Sequence, residues 1–374
     1  MKIRAAVLRQ MGLPPPYAQS QPLRIETVDL ADPGPGEVMV RIRAAGLCHS
    51  DLSVIDGNRP RPLPMVMGHE VSGLVEALGP GVSGLREGDH VVAAFVPSCG
   101  RCGPCSVGRP ALCEPGFAAN SAGTLLSGAR RLSAAERPLL HHLGVSGFAE
   151  YAVLAQESLI RIDRDLPFEQ AALFGCAVLT GVGAVLNTAD LPADASVAVV
   201  GLGGVGLAAL LGAMLRQPRV LIAVDLNAGK LALALSLGAT HVFAADDPDC
   251  ASKIREETHG GVEFAFEMAG AVAALQMAYA VTRRGGTTVS AGLAKPQASF
   301  SVPQISIVAE ERTIKGSYLG GGQPRRDIAS YLEWFRAGRL PVDRLLSERI
   351  GLDGLNAAFD RLASGNTVRQ VVLL

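Results

Sequence analysis

Hydrophobic and polar positions change rhythm about halfway along the chain. Before residue 194 the apolar positions come in short alternating runs: Ala5-Val7-Leu8, Leu23-Ile25-Thr27-Val28, Val38-Met39-Val40-Arg41-Ile42, His69-Val71-Gly73-Val75-Ala77 and His90-Val91-Val92-Ala93. Pro-Gly and Gly-Asp pairs cut these runs, which predicts short strands closing into a small barrel. From about Asp194 continuous apolar strands take over. Ser196 to Val200 precedes a glycine turn and an apolar helix, Val205 to Leu215. Val220 to Val224 precedes a helix over Ala228 to Leu237. Val262 to Phe266, Gly286 to Ser290 and Thr313 to Gly316 continue the series, with a helix over Ala271 to Val281. Strands that alternate with helices predict a parallel sheet covered on both faces. A helix near Ile328 to Ala337 and a last strand, Arg369 to Leu374, return to the style of the first half. The stretch Ser299 to Val308 alternates like an edge strand that needs cover.

At 374 residues the chain exceeds the size at which one core stops growing, so two domains are expected. A net charge of -1 offers no attraction to nucleic acid or anionic lipid. The opening MKIRAAVL has no apolar stretch of signal-peptide type, and no run of 18 apolar residues suggests a membrane span. A reducing, cytoplasmic setting is therefore expected, in which clustered cysteines more often bind metal than pair.

Four of the seven cysteines, Cys99, Cys102, Cys105 and Cys113, follow the spacing C-x2-C-x2-C-x7-C. One short loop with that spacing can close four thiolates around a structural zinc, which keeps no open position. Four thiolates also suit an iron–sulfur cluster, and paired disulfides or plain buried thiols are the other readings. The spare Cys250 reads as an unpaired thiol at the surface or a boundary. Cys48, His69 and Cys176 are dispersed, and each alone has an ordinary core reading. Beside a nucleotide fold they fit a two-cysteine, one-histidine zinc with a position left for water.

Gly201-Leu202-Gly203-Gly204-Val205-Gly206 stands between a predicted strand and a predicted helix, with Asp225 at the end of the next strand. This is a dinucleotide-binding context: Gly201 for the tight turn, Gly203 for backbone approach to a pyrophosphate, and Gly206 for helix packing on strand. Asp225 can accept both ribose hydroxyls and would repel a 2′-phosphate. Leu226 and Asn227 supply no arginine to welcome one, so NAD is favoured over NADP. The ordinary reading of Asp225 is a turn cap.

Together, Gly68-His69-Glu70, the four-cysteine loop, Cys176, the glycine fingerprint and Arg369 resemble the zinc-dependent medium-chain alcohol dehydrogenases, close to the long dimeric liver-type members, over the whole chain. The resemblance implies an α/β chain with a GroES-like β-barrel catalytic domain (1–177 and 319–374) and a Rossmann doubly wound cofactor domain (178–318). A catalytic zinc would face the nicotinamide in the cleft between them. It implies Cys48, His69 and Cys176 as ligands of that zinc, Glu70 as a second-sphere acid pairing with Arg369, and Asp51 as the partner that orients His69. Ser50 would take the substrate proton. His49 and Arg369 would contact the pyrophosphate, Thr180 and Val205 would flank the nicotinamide, and Lys230 would approach the ribose, with a solvated helix lysine as its ordinary reading.

Liver-type relays end at a histidine three residues after the serine, where this chain has Ser53; water or His49 can substitute. Phe95, Leu112, Leu293 and Tyr318 match substrate-lining positions, and Leu293 also counts among the cofactor contacts. His142, Arg59 and Ala118 depart from a wholly apolar lining. The stretch from Ala119 to Leu143, with Arg130 and Arg131, is expected to shape the pocket mouth, its ordinary reading being a solvated loop and helix. These features imply NAD-dependent, reversible oxidation of a primary alcohol with a sizeable or aromatic body, two zinc ions per subunit and a homodimer. The competing readings are a glutathione-dependent formaldehyde dehydrogenase, which lacks support from Glu114-Pro115-Gly116-Phe117 after Cys113, and a non-catalytic zinc-stabilised scaffold, which need not have kept both ligand sets. A metal-free quinone reductase is disfavoured because Cys48, His69 and Cys176 are all retained.

Overall fold

The computed structural model describes residues 1–374, and its backbone divides into two units. The first comprises Met1–Cys176, Gln323–Ala329 and Leu346–Leu374, and the second Ala177–Gly322 and Ser330–Leu345.

In the first unit the alternating runs close on themselves. Lys2–Leu8, Leu23–Leu30, Leu132–Ala134, Arg137–His141 and Met65–Val66 form a closed barrel. Its inward positions Ile3, Ala5, Val7, Val28, Leu30, Val66, Leu132 and Leu139 are buried together with Val153. The period of two puts one face of each strand inside. A second sheet runs in the order Leu159–Ile162, His90–Ala93, Glu70–Leu78, Glu37–Gly46, Arg369–Leu373 and Leu346–Ile350, with Tyr151–Ala155 also paired to Glu37–Gly46. The C-terminal strand lies antiparallel to Glu37–Gly46, with Val371 opposite Gly46. That register carries Arg369 toward the start of the neighbouring strand Glu70–Leu78.

In the second unit six parallel strands run in the order His241–Ala244, Val220–Asp225, Ser196–Val200, Val262–Glu267, Thr282–Ser290 and Thr313–Gly316. Numbered by sequence within the unit this is 3-2-1-4-5-6, the order whose switch point lies beside the first strand. All five residues of Ser196–Val200 are buried, as expected for a central strand covered by helices on both faces. No single helix in the chain is long and apolar enough to cross a membrane.

Three readings of the sequence change. Ser299 to Val308 is not an edge strand: Gln304–Ala309 is helical, entered from Pro303, with the Ser306 hydroxyl donating back to the Pro303 carbonyl. Proline fixes φ and lacks the N–H that a strand needs, and the sheet edge is Thr313–Gly316 instead. The stretch from Ala119 to Leu143 supplies two barrel strands, and its Arg131 pairs with the buried Glu37. Cys250 lies at neither surface nor boundary; it is fully buried against Val200, Val224 and Ile254 in the core of the second unit.

Candidate functional site: a buried thiolate and imidazole cluster

Cys48 lies two residues past the strand Glu37–Gly46 and opens the helix His49–Ile55 as its N-cap. Its Sγ accepts the Ser50 N–H at 3.5 Å, while its own N–H donates to Asp51 Oδ2 at 3.2 Å. This reciprocal capping satisfies two otherwise orphaned helix donors and fixes the thiol and the carboxylate as one unit.

His69 follows Gly68, whose φ is +92° and where a Cβ would lie 2.5 Å from the Phe148 nitrogen. Only glycine permits that approach. The ring is fully buried, Nδ1–H donates to Asp51 Oδ1 at 2.9 Å, and Nε2 sits 3.6 Å from Cys176 Sγ. Cys176 follows Gly175, where a Cβ would meet the Ala93 carbonyl oxygen at 2.2 Å. Close backbone packing therefore delivers both residues. Glu70 lies in the same cluster, with Oε1 3.9 Å from His69 Nε2, and forms a buried ion pair with Arg369. One ligand atom from each of Cys48, His69, Glu70 and Cys176 lies within 4.8 Å of the other three.

The electrostatics favour a cation at this point. A hydrogen bond with Cys176, followed by His69, holds the Cys48 thiol well below its ordinary value against the opposing effect of burial. Burial disfavours a charged His69, but Asp51 and then Cys48 outweigh it and lift the imidazole to about 10. Asp51 is lowered; burial alone would raise it, and the two imidazoles of His69 and His142 prevail. Two cysteine sulfurs and an imidazole this close suit zinc at an open, catalytic type of site.

The second cluster is a closed set. Ligand atoms of Cys99, Cys102, Cys105 and Cys113 lie within 4.8 Å of one another, and none of the cysteines is in a disulfide. Backbone N–H groups of Cys99 and Gly116 donate to Cys113 Sγ at 3.2 and 3.4 Å, and that of Cys102 to Cys99 Sγ at 3.4 Å. The N–H groups of Arg101 and Cys102 lower Cys99 to about 7, while desolvation pushes Cys105 up to about 12. Backbone donors aimed at sulfur are what a four-thiolate metal site needs to spread its charge.

In the second unit the glycines divide by function. A Cβ on Gly201 would crowd Ala269 at 2.7 Å, and one on Gly206 would strike the Gly201 carbonyl oxygen at 1.8 Å. A Cβ on Gly203 would meet nothing within 4 Å, although Gly203 is the N-cap of the helix Gly204–Met214. Packing explains Gly201 and Gly206, while Gly203 stands at an open helix N-terminus. The helix terminus behind it suits a phosphate. Asp225 braces the turn, accepting the Leu202 N–H at 2.6 Å through Oδ2 and the Asn227 N–H at 2.8 Å through Oδ1. Gly204 is buried within the helix, and Val205 is half-buried. Thr180 is buried on the helix Ala177–Gly183, whose Gly181 packs on the Val205 carbonyl. Lys230 lies half-buried in the first turn of Ala228–Ser236, and Leu293 is exposed.

Among the other residues singled out, Ser50 is half-buried and His49 exposed. The Ser53 hydroxyl donates to the His49 carbonyl of its own helix at 2.8 Å. Phe95 packs edge-on against His69, ring centroids 5.4 Å apart. Leu112 and Ala118 are exposed, and Arg59 and Tyr318 half-buried. His142 is more than a lining residue. It is buried, with Nε2 3.2 Å from Asp51 Oδ1. A histidine after a run of barrel residues carries no metal spacing, so its place on Asp51 had no signal in the sequence.

Residues 34–164 match the model of the alcohol dehydrogenase GroES-like domain, and residues 200–337 that of the zinc-binding dehydrogenases. The chain is 36% identical to an alcohol dehydrogenase class-3 of Drosophila melanogaster, over 95% of each chain, and 34% identical to an S-(hydroxymethyl)glutathione dehydrogenase of Paracoccus denitrificans over the full length of both. Its fold superposes with a TM-score of 0.93 on the crystal structure of benzyl alcohol dehydrogenase from Acinetobacter calcoaceticus, at 32% identity, covering 100% of this chain and 99% of that one.

Proposed function

From the premise that this chain belongs to the zinc-dependent medium-chain alcohol dehydrogenases, we propose that it oxidises a primary alcohol with an apolar, often aromatic, body to the aldehyde, reversibly and with NAD. The observation that carries the reading is the buried set Cys48, His69 and Cys176 with the Phe95 ring against His69. An aromatic wall beside the polar centre offers apolar area for substrate binding, and the metal centre orients the hydroxyl. Similarity to a benzyl alcohol dehydrogenase supports the aromatic preference.

Cys48, His69 and Cys176 would hold the catalytic zinc, and Cys99, Cys102, Cys105 and Cys113 a structural one. Bound there, zinc would supply Lewis acidity to the substrate oxygen and NAD the two-electron acceptor. Ser50, on the helix that Cys48 caps, takes the substrate proton and passes it on, since a serine hydroxyl is too weak a base to keep it. Ser53 gives its own proton to the His49 carbonyl, so the onward acceptor is His49 or water. Glu70 and Arg369 hold each other beside the cluster, and Asp51 orients His69. Gly201, Gly203, Gly204, Val205 and Gly206 receive the pyrophosphate, with His49 beside it. Asp225 takes the ribose with Lys230, while Thr180 and Leu293 contact the nicotinamide half.

The glutathione-dependent reading has a specific argument in its favour, the match to an S-(hydroxymethyl)glutathione dehydrogenase. Against it, the residues after Cys113 are Glu114, Pro115, Gly116 and Phe117, with no arginine for a glutathione carboxylate. A panel of primary alcohols, with and without glutathione plus formaldehyde, read by reduced-cofactor absorbance with NAD and NADP in parallel, decides between them. Benzyl-type alcohols with NAD are expected to lead. Turnover confined to the glutathione adduct would reverse the assignment. A cytoplasmic homodimer completes the proposal: the edge strand Thr313–Gly316 is exposed throughout, and Ile305 and Val308 are 73% and 68% exposed nearby in sequence, an apolar edge that needs cover. Light scattering should give a dimer.

A further inference from the structure

Asp51 has two hydrogen-bond donors, Cys48 N–H and His69, and a third polar neighbour at contact distance that is not needed to orient a single imidazole. Its Oδ2 accepts the Cys48 N–H at 3.2 Å, and its Oδ1 lies 2.9 Å from His69 Nδ1 and 3.2 Å from His142 Nε2. All three side chains are at most 1% exposed. The two rings stand nearly perpendicular, with centroids 5.5 Å apart and an angle of 73°. A carboxylate offers only acceptors; His69 Nδ1–H donates to it, whereas His142 Nε2 stands at contact distance without an aligned hydrogen bond.

The backbone places His142 there deliberately. Met65–Val66 and Arg137–His141 are parallel neighbours with Val66 opposite His141, so the chain reaches His69 from one strand and His142 from the other. A tight turn then locks His142. Its N–H donates to the Ser146 hydroxyl at 3.1 Å, and its carbonyl accepts the N–H groups of Val145 and Ser146 at 3.0 and 3.2 Å. Leu143, Gly144 and Ser146 all have positive φ. The same turn is tied to the His69 segment by Gly147 N–H donating to the Gly68 carbonyl at 2.9 Å.

We propose that His142 is a positioning residue for the metal centre: its Nε2 edge fixes the Asp51 carboxylate, and through it the His69 ring that presents Nε2 toward Cys48 and Cys176. A second imidazole edge packed on Oδ1 holds the carboxylate in place. It removes the freedom of the carboxylate to rotate away from His69. The inference rests on the zinc-site reading given above.

The test uses three variants of the full-length protein. His142→Phe fills the space without a donor. His142→Gln puts an amide N–H near the position of Nε2, and His142→Asn places it short of Asp51. Zinc retention is measured by release to excess EDTA, and cobalt-substituted protein reports the ligand field through its visible spectrum. His142→Phe is expected to lose catalytic-site metal about tenfold faster and to shift the cobalt bands, with His142→Gln restoring both and His142→Asn restoring neither. If His142→Phe fails to fold, the Gln and Asn pair decides. Release rates and spectra equal to the unsubstituted protein in all variants overturn the proposal, as does equal damage in Gln and Asn, which would mean that ring packing alone matters. Loss of one metal ion per chain from a total of three would also overturn it, since His142 would then be a ligand with Asp51 and His69. A starting protein that holds no metal at Cys48, His69 and Cys176 defeats the zinc-site reading instead, so the two failures are distinguishable.

Discussion

The backbone N–H of Cys48 donates to Asp51 Oδ2 while Asp51 Oδ1 accepts from His69, so one carboxylate ties a helix N-terminus to a ring that arrives from a different strand. Two prospective metal ligands are thereby positioned by a residue that is itself no ligand. Asp51→Ala should lower zinc affinity at the catalytic site by about 10- to 100-fold, the usual effect of losing a partner that orients a ligating histidine. Metal content after dialysis against a graded chelator measures it. Retention equal to the unsubstituted protein would show that His69 needs no such support.

Two ligand sets in one chain predict two zinc ions with separable roles. Cys102→Ala opens a closed four-thiolate site, so it should lower the melting temperature and remove one zinc, because such sites contribute folding energy. Cys176→Ala should abolish turnover with a far smaller change in melting. Calorimetry beside metal analysis checks both, and unaltered melting of Cys102→Ala with both metals in place would refute the structural assignment.

Much of this was legible in the sequence because metal and phosphate sites leave spacing. The four-cysteine loop, Gly68-His69-Glu70 and the glycine fingerprint each oblige particular residue types at fixed offsets, and the parallel strands announce themselves as unbroken apolar runs. What escaped depends on tertiary packing. Gln304–Ala309 reads as alternating until Pro303 is seen to open a helix. Arg131 looks solvated until Glu37, far off in sequence, is found buried beneath it. His142, just past the barrel strand Arg137–His141, meets Asp51 on the helix His49–Ile55, a juxtaposition no local pattern specifies.

Asp225 now carries two duties. Its Oδ2 holds the Leu202 N–H of the glycine turn at 2.6 Å, besides facing a prospective ribose. Asp225→Gly should therefore narrow the preference for NAD over NADP, by roughly 1.5 to 3 kcal/mol for one charged hydrogen bond, and should also weaken NAD binding by loosening the turn. Kinetic constants with both cofactors test this. An unchanged ratio would remove Asp225 from cofactor selection.

Ser50 donates its N–H to Cys48 Sγ, and its side chain ligates nothing, so Ser50→Ala should keep the helix cap and the metal. Alcohol oxidation should nevertheless fall by about 10² to 10⁴-fold, the usual contribution of a proton-transfer group. His49→Ala should weaken cofactor binding first and, if His49 accepts the relayed proton, depress turnover most near neutrality. Rates at saturating cofactor across pH separate the two roles, and a loss below threefold in Ser50→Ala with zinc retained would eliminate the relay.

His141, next in sequence to His142, gives a pH prediction. It is fully buried, its Nε2 accepts the Arg131 N–H at 3.1 Å, and burial drives it down from 6.5 to about 4. The native imidazole stays neutral where the unfolded chain takes up a proton, so the unfolded state binds more protons between those values and stability falls as pH drops. At about 1.4 kcal/mol per pH unit the loss from His141 alone amounts to roughly 3 kcal/mol by pH 4. Glu37, held low by Arg131 and Ser127 in spite of its burial, acts only below its ordinary value of 4.5, but His90 and His142 are also held below 6.5 by burial, so only the difference between two proteins that differ at residue 141 reports this histidine. His141→Gln keeps an acceptor for Arg131 without a titrating ring and should make the decline between pH 6.5 and 4.5 shallower, leaving the part due to His90 and His142. Denaturant titrations of both proteins at several pH values provide the comparison, and parallel stability curves would show that His141 does not set the acid limb.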